Sequence, residues 1–326
     1  MVEELLKKTE ESPLMEQVLY EIKKVIVGQD HLLERVLVAI LSQGHLLVEG
    51  VPGLAKTLTI KTLAEAVNCS FKRIQFTPDL VPADLVGTRI YNQRSGEFST
   101  SLGPVFTNLL LADEINRAPA KVQSALLEVM QEHQVTIAGQ TYKVPEPFLV
   151  MATQNPIETE GTYPLPEAQL DRFFFKVNVD LPNIGEMVEI LDRTTGKESP
   201  AANKAVSGAE IVEMRALART VPIASHVKEY IAKLMLATHP DDPNASPLVK
   251  KYVRYGVSPR GGQALVLGAK VTALMAGRYN VSFEDVHAVA RAALRHRLLL
   301  NFDGLAEGIQ PDAVIDELTN SMEKAK

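Results

Sequence analysis

The sequence has little that would cross-link the chain or carry it through a membrane. Cys69 is the single cysteine among 326 residues, so no disulfide can form within the chain, which fits a reducing compartment. The longest apolar run, residues 36–41, is far shorter than the roughly 18 residues that a membrane helix needs. Near the start stand Glu3 and Glu4, where a signal peptide would be basic. We therefore expect a cytoplasmic protein without membrane insertion.

The sequence also lacks the usual signs of a structural metal centre or of nucleic-acid binding. None of its seven histidines stands at a metal-ligand spacing from the cysteine or from another histidine. The 34 basic and 40 acidic residues give a net charge of −6, which argues against a non-specific grip on phosphate backbones. We interpret the basic cluster of Arg291, Arg295 and Arg297 as a solvated helical face, since no aromatic platform accompanies it. A nucleic-acid partner is therefore not expected.

The pattern of apolar residues predicts an α/β domain followed by a helical domain. Up to residue 182, short apolar runs alternate with amphipathic stretches, which is typical of a parallel sheet covered by helices. Five buried strands are predicted, at residues 45–49, 71–76, 108–112, 148–153 and 173–177. Farther along, helical spacing prevails and no convincing strand is found. We predict an α/β core over residues 1–182 and an all-α domain over residues 183–326.

The first predicted strand leads into a loop with the composition of a phosphate-binding site. The predicted nucleotide contacts are Gly50, Val51, Pro52, Gly53, Leu54, Ala55, Lys56, Thr57 and Leu58. In such a loop, backbone N–H groups surround the β-phosphate, Lys56 bridges β- and γ-oxygens, and Thr57 offers a hydroxyl to Mg²⁺. Ala55 stands where glycine is usual. Strand, loop and helix together predict an ATP site, with an ordinary Gly/Pro turn as the alternative.

Polar side chains follow the third and fourth predicted strands at the edge where ligands bind in open α/β sheets. Asp113 can hold Mg²⁺, while Glu114 can orient and deprotonate the water that attacks a γ-phosphate. Asn155 can hydrogen-bond that water or the γ-phosphate through its carboxamide. The alternatives are a solvated acidic turn for the two acids and an ordinary Asn-Pro turn for Asn155.

Six ordered motifs give the chain a resemblance to the MoxR family of AAA+ ATPases. They are VGQ at 27–29, GVPGLAKT at 50–57, LLLADEINRAP at 109–119, ATQNP at 152–156, LPEAQLDRF at 165–173 and GVSPRG at 256–261. The resemblance implies a P-loop AAA+ core, with a five-stranded parallel sheet flanked by helices, and a C-terminal all-α lid domain. It also implies ATP and Mg²⁺ as cofactors. Alanine before the P-loop lysine is also met in this family.

The resemblance implies roles for residues whose chemistry alone is ambiguous. Arg172 resembles the arginine finger that reaches the γ-phosphate of a neighbouring subunit, and Arg260 resembles the second sensor, a lid residue that contacts the nucleotide. Val27 and Gly28 resemble the segment lining the adenine pocket. Without the family, the alternatives are an Asp171–Arg172 surface ion pair, a solvated arginine after a proline, and a buried hydrophobic turn.

Two inserts also resemble those of the subgroup that contains MoxR, magnesium chelatase and replicative helicases. Residues 80–103 resemble the insert that interrupts the second core helix. The alternation of Val135, Ile137 and Tyr142 predicts a β-hairpin at about 135–144, and such hairpins often line the central pore of a ring. A surface hairpin without substrate contact is the alternative. The resemblance implies a homo-oligomeric ring, with a hexamer as the expected size.

The leading functional prediction is an ATPase that hydrolyses ATP to ADP and phosphate. The family resemblance implies that hydrolysis drives chaperone-like remodelling, assembly or activation of partner proteins, either metalloenzymes or proteins with von Willebrand factor A-type domains. A nucleic-acid motor related to replicative helicases is the first alternative, and the acidic net charge weighs against it. A nucleotide-gated scaffold is the second, and the presence of Glu114 and Arg172 weighs against that.

Overall fold

The computed structural model describes residues 14–51, 53–94, 96–155, 161–196 and 200–323. These residues fall into two compact units. The sheet unit contains the described residues up to Leu165 together with Val177–Glu213, and the helical unit contains Pro166–Lys176 and the described residues from Met214 onward. The single domain boundary that the sequence predicts at residue 182 stays a prediction.

A five-stranded parallel sheet positions the candidate site. Its strands are β1 (Leu46–Glu49), β2 (Phe71–Gln75), β5 (Leu109–Asp113), β8 (Leu149–Gln154) and β9 (Phe175–Asn178). They lie in the order β2-β5-β8-β1-β9, so chain neighbours are separated by crossovers. Strands β1, β5 and β8 are buried along nearly their whole length, as expected for a parallel sheet covered on both faces. The predicted fold class is confirmed.

Fourteen helices are found in the described part of the chain. In chain order they are α1 (Leu14–Val25), α2 (Asp30–Ser42), α3 (Lys56–Ala66), α4 (Pro82–Val86), α5 (Ala120–Glu132), α6 (Glu167–Leu170), α7 (Ile184–Thr195), α8 (Gly208–Thr220), α9 (Ser225–Ala237), α10 (Pro247–Tyr252), α11 (Pro259–Met275), α12 (Phe283–Leu294), α13 (Phe302–Ala306) and α14 (Pro311–Glu323). Apolar spacing explains the first of them, since Met15, Val18 and Ile22 of α1 are buried on one face. None of the helices in these ranges is long and apolar enough to cross a membrane.

The sheet unit also contains two antiparallel hairpins. The first pairs β3 (Gly87–Asn92) with β4 (Glu97–Leu102), inside the insert predicted at 80–103. The second pairs β6 (Gln134–Ile137) with β7 (Gln140–Lys143), in the region where apolar alternation predicts a hairpin. The sequence does not predict β3, because its apolar residues Ile90 and Tyr91 are adjacent and do not alternate with polar residues. In the structure both side chains are about half exposed.

The described part of the helical unit contains a short two-stranded sheet where the sequence predicts only helices. Strand β10 (Val253–Tyr255) pairs antiparallel with β11 (Leu299–Leu300). Strands of three and two residues are too short to produce a recognisable alternation. The unit is otherwise helical, in agreement with the predicted C-terminal helical domain.

The basic cluster at the end of α12 is not the solvated face that the sequence suggested. Arg291 is exposed and bonds Asp316, but the Arg295 side chain is only 10% exposed and pairs with Asp312 at 2.7 Å. The Arg297 side chain is buried, with 3% exposed. The interpretation is therefore wrong for two of the three arginines, because carboxylates from elsewhere in the chain pair with them inside the unit.

Candidate nucleotide-binding site

The predicted phosphate loop connects β1 to α3 at the C-terminal edge of the sheet. Gly50 follows β1 directly, and its N–H donates to Gln154 O at 3.4 Å. A Cβ atom on Gly50 would lie 2.9 Å from Val179 O, so the close approach of these two segments requires glycine. Pro52, one of the predicted nucleotide contacts, lies outside the described residues.

Ala55 takes a backbone conformation that glycine adopts more easily. Its φ of 54° and ψ of 17° place it in the left-handed region, immediately before α3. This conformation costs an L-residue about 1–2 kcal/mol through the contact of Cβ with the backbone. The structure therefore shows why glycine is usual at this position, and it shows that the alanine is held there under local strain.

Lys56, the first residue of α3, reaches back across the loop. Its Nζ donates a hydrogen bond of 2.7 Å to Gly50 O. Partial burial lowers the pKa of Lys56 below its usual range, and the carboxylates of Asp113 and Glu114 act in the opposite direction. The ammonium group is therefore bound to a single main-chain oxygen in a partly desolvated place, where a phosphate oxygen would be a stronger partner.

Asp113 ends β5 and is bound from both neighbouring strands. Arg73 of β2 donates to Asp113 Oδ2 from two nitrogens, at 2.6 and 3.2 Å. Thr153 of β8 donates its hydroxyl to Asp113 Oδ1 at 2.6 Å. The parallel register explains the first contact, since Gln75 is the strand partner of Asp113 and Arg73 lies two residues earlier on the same side of β2.

Glu114 lies one residue beyond the strand, in the left-handed region with φ of 56°. Its N–H donates to Thr153 Oγ1 at 2.9 Å. Its Oε2 accepts from Gln75 Nε2 at 2.9 Å and from Arg117 Nε at 2.8 Å. Arg73 also donates to Gln75 Oε1 at 2.9 Å. The two acids therefore belong to one hydrogen-bonded chain of side chains.

A cavity of about 420 Å³ opens between the loop and the acids. Its lining residues are Gly53, Leu54, Ala55, Lys56, Thr57, Leu58, Arg73, Gln75, Asp113, Glu114, Thr153 and Asn155. Most of the predicted site residues from the sheet unit are thus brought together around one space. Gly50 and Val51 form the start of the loop behind this lining, while Val27 and Gly28 lie in the turn between α1 and α2 and are not among the lining residues.

Three lining residues were not predicted from the sequence: Arg73, Gln75 and Thr153. The polar residues at 73 and 75 alternate along β2 and end at the same edge as Asp113. That alternation was a usable signal, but the strand order that places β2 beside β5 is not visible in the sequence. Thr153 belongs to a strand that was predicted, and its hydroxyl was overlooked because the strand is otherwise apolar.

The predicted finger and sensor belong to the helical unit. Arg172 is exposed in the short segment between α6 and β9. Arg260 is also exposed, near the start of α11, with NH1 3.5 Å from Asp171 Oδ2. Asp171 pairs with Arg297 at 2.8 Å as well. Asp171 is therefore engaged by two arginines from later in the chain.

The fold and the cavity together define a class of protein. A parallel sheet of this order, a phosphate loop entering a helix, and an acidic pair at the end of β5, which β8 separates from β1, are the parts of a P-loop nucleotide-binding ATPase. Residues 45–175 match the model of the ATPase family associated with various cellular activities (AAA), and residues 245–318 match the AAA lid domain.

Known proteins resemble the chain over most of its length. Chaperone MoxR1 of Mycobacterium tuberculosis is 50% identical over 94% of this chain and 81% of its own. Protein MoxR of Paracoccus denitrificans is 31% identical over 90% of this chain and 91% of its own. The crystal structure of a candidate ATPase from Cytophaga hutchinsonii superposes with a TM-score of 0.89, at 45% identity and 97% coverage of both chains. The chain belongs to the MoxR family of AAA+ ATPases.

Proposed function

We propose that this protein hydrolyses ATP to ADP and phosphate and uses the reaction to remodel, assemble or activate partner proteins. One observation carries the proposal: Lys56 and Thr57 of the phosphate loop share a single cavity with Asp113, Glu114 and Asn155. Phosphate-binding groups and a carboxylate able to activate water are thus available to the same ligand. The similarity to a protein named as a chaperone supports the action on partner proteins.

The residues of the cavity fit a magnesium ion. Thr57 offers a hydroxyl and Asp113 a carboxylate, and both are oxygen ligands of the kind that Mg²⁺ takes alongside phosphates and water. Asp113 already pairs with a positive group, the Arg73 guanidinium at 2.6 Å, and a bound Mg²⁺ would replace that group at the carboxylate. When bound with ATP, Mg²⁺ neutralises charge on the β- and γ-phosphates.

The hydrogen bonds of the site support a role for each of its own residues. Lys56 exchanges Gly50 O for phosphate oxygens, because a charged acceptor binds an ammonium more strongly than a carbonyl. Glu114 accepts a proton from the attacking water, and for this it leaves Gln75 and Arg117, which bond its Oε2. Asn155 holds the water or the γ-phosphate through its carboxamide.

Other parts of the proposal rest on family resemblance. Arg172 reaches the γ-phosphate bound by a neighbouring subunit, Arg260 contacts the nucleotide as a sensor, and Val27 with Gly28 lines the adenine pocket. The protein forms a homo-oligomeric ring, with a hexamer as the expected size. Its clients are metalloenzymes or proteins with von Willebrand factor A-type domains, and its location is the cytoplasm.

Two substitutions test the proposed reaction. In Glu114→Gln, ATP binding is retained while the turnover number falls by about 10²–10⁴, because the carboxamide cannot accept the proton of the water. In Lys56→Ala, ATP binding is lost. Equilibrium binding of ATP with Mg²⁺ and phosphate release are the measurements. Glu128→Gln, which changes an exposed glutamate of α5, is the matched control and should leave both quantities unchanged.

Normal hydrolysis by Glu114→Gln would contradict the assignment of the water-activating group. The same variant also identifies the partner, since it holds ATP without turning over. Affinity capture with Glu114→Gln in the presence of ATP should enrich particular proteins over capture with Lys56→Ala. Strong, salt-sensitive stimulation of the wild-type rate by DNA would instead favour a nucleic-acid motor.

A further inference from the structure

The buried side chain of Arg297 is bonded almost entirely to the segment that carries Arg172. Its NH2 donates to Asp171 O at 3.0 Å and Phe173 O at 2.6 Å, and its NH1 donates to Phe174 O at 3.2 Å. Its Nε donates to the Asp171 carboxylate at 2.8 Å, and NH1 also bonds Ala293 O within α12. Three carbonyls of a four-residue run are therefore held by one guanidinium.

This arrangement fixes the backbone around Arg172 while leaving its side chain exposed. His296 adds a further bond, from Nε2 to Phe173 O at 2.9 Å. A buried guanidinium is tolerated only when its N–H groups are bonded, so Arg297 cannot easily shift to other partners. An exposed side chain on a backbone that buried groups hold in place is the geometry expected of a residue that must point in a defined direction.

Asp171 connects this segment to the start of α11. Ser258 is the N-cap residue of α11, and a serine in that place usually accepts a bond from the helix backbone. Here the Ser258 side chain makes no capping bond, and its hydroxyl instead contacts both carboxylate oxygens of Asp171, at 2.9 and 3.0 Å. Arg260, two residues later, is 3.5 Å from Asp171 Oδ2.

We propose that Asp171, held by buried Arg297, is a positioning residue that joins Arg172 to Arg260 and sets the direction of both. The inference rests on the proposed function, in which these two arginines act on the nucleotide. Asp171 itself contacts no phosphate in this proposal. Through its ion pair with Arg297 it fixes the segment that carries Arg172, and through its hydrogen bond with Ser258 it fixes the start of α11, which carries Arg260.

The test compares Asp171→Asn with a matched substitution elsewhere in the same unit. Asp285→Asn is the control, because Asp285 also pairs with an arginine, Arg278, and with an N-cap serine, Ser282. The Asp285 side chain is 2% exposed against 19% for Asp171, so the control should lower the melting temperature at least as much. Only Asp171→Asn should lower kcat, by about ten- to a hundredfold, with little change in KM for ATP.

A mutant cycle then tests whether Asp171 acts through Arg172 and Arg260. We expect Asp171→Asn to add less than about twofold to the loss already caused by the combined variant Arg172→Ala/Arg260→Ala, since both arginines through which Asp171 acts are then absent. Ser258→Ala removes only the hydroxyl and should lower kcat by a smaller factor. That variant supplies the same comparison if Asp171→Asn does not fold.

Each outcome decides a different point. Equal kcat for Asp171→Asn and Asp285→Asn overturns the inference and leaves the ATPase assignment standing. A full additional loss in the background that lacks both Arg172 and Arg260 also overturns it, because Asp171 would then act by another route. A wild-type kcat for Arg172→Ala would contradict both the proposed role of Arg172 as an arginine finger and this inference. A wild-type protein without ATPase activity overturns the proposed function and, with it, this inference.

Discussion

Two arginine–aspartate pairs, one in each unit, have similar lengths and similarly buried aspartates, but their arginines differ in exposure. Arg73 and Asp113 of the sheet unit are 2.6 Å apart, and Arg297 and Asp171 of the helical unit are 2.8 Å apart. The Arg73 side chain is 48% exposed, whereas only 3% of the Arg297 side chain is exposed. Distance alone therefore does not distinguish the two pairs, and exposure does.

The difference indicates which aspartate can exchange its arginine for another cation and which cannot. A pair with one largely solvated partner contributes about 0–1 kcal/mol, so a bound cation can replace Arg73 at Asp113 with little loss. Removing Arg297 deprives Asp171 and several buried main-chain carbonyls of their donor at once, and a loss of this kind costs about 3–5 kcal/mol. The pair in the cavity is thus suited to ligand exchange, and the pair beside Arg172 is suited to holding a fixed geometry.

The largest effect is expected when the arginine of each pair is replaced by methionine. Arg297→Met should lower the free energy of unfolding by about 3–5 kcal/mol, because Asp171 and several carbonyls lose their donor. Arg73→Met should change it by about 1 kcal/mol or less. Urea denaturation followed by circular dichroism measures both. Equal destabilisation by the two substitutions would remove the distinction between an exchangeable and a fixed pair.

A second prediction concerns His296, which lies next to Arg297 in the chain and is buried with it. Burial, and then the charge of Arg297, lowers the pKa of His296 well below its ordinary value of 6.5. The unfolded chain therefore binds a proton below pH 6.5 that the folded chain does not bind. His296 should make the free energy of unfolding fall by about 1.4 kcal/mol per pH unit as the pH drops below that value.

The variant His296→Gln isolates this contribution. Its amide can still donate to Phe173 O, but it does not titrate. Urea denaturation at pH 6.5 and pH 5.5 should show a smaller fall in the variant than in the wild type, by up to about 1 kcal/mol over that interval, because the unfolded histidine is already half protonated at pH 6.5. The same fall in both proteins would show that the surroundings of Arg297 admit a second positive charge.

The smallest expected effect belongs to the sheet unit and concerns Ala55. Because Ala55 has a φ of 54°, Ala55→Gly should raise the free energy of unfolding by about 0.5–1 kcal/mol as the strain is removed, less the entropy that glycine adds to the unfolded chain. The control is Ala64→Gly, in the interior of α3, which should destabilise the protein. Thermal melting of both variants measures the difference. Destabilisation by Ala55→Gly would show that the loop is not strained at this residue.

The sequence allowed the sheet and much of the candidate site to be predicted, because both depend on local patterns. Apolar runs located the five strands to within about two residues, and the strand ends located Asp113 and Asn155 at the ligand-binding edge. The contacts made by Arg73 and Gln75 depend on which strands are neighbours. That order is set by packing of the whole sheet, and single strands do not encode it.

Arg297 shows a different kind of difficulty. A lone arginine after a helix is usually solvated, and its burial here depends on Asp171, which is 126 residues away in the chain. Its other acceptors are main-chain carbonyls, which every residue possesses and which give no sequence signal. Charged residues that are buried by distant partners are therefore the part of this molecule that a single sequence does not reveal.

One hydroxyl group in the cavity has a mechanical consequence. Thr153 Oγ1 donates to the Asp113 carboxylate and accepts from the N–H of Glu114. One residue of β8 therefore binds both Asp113, the last residue of β5, and Glu114, which follows it. Asn155 lies two residues farther along the same segment. A small slide of β8 would therefore displace the carboxylates of Asp113 and Glu114 in one movement, and a force applied to β8 would stop the proposed reaction without any contact with the nucleotide.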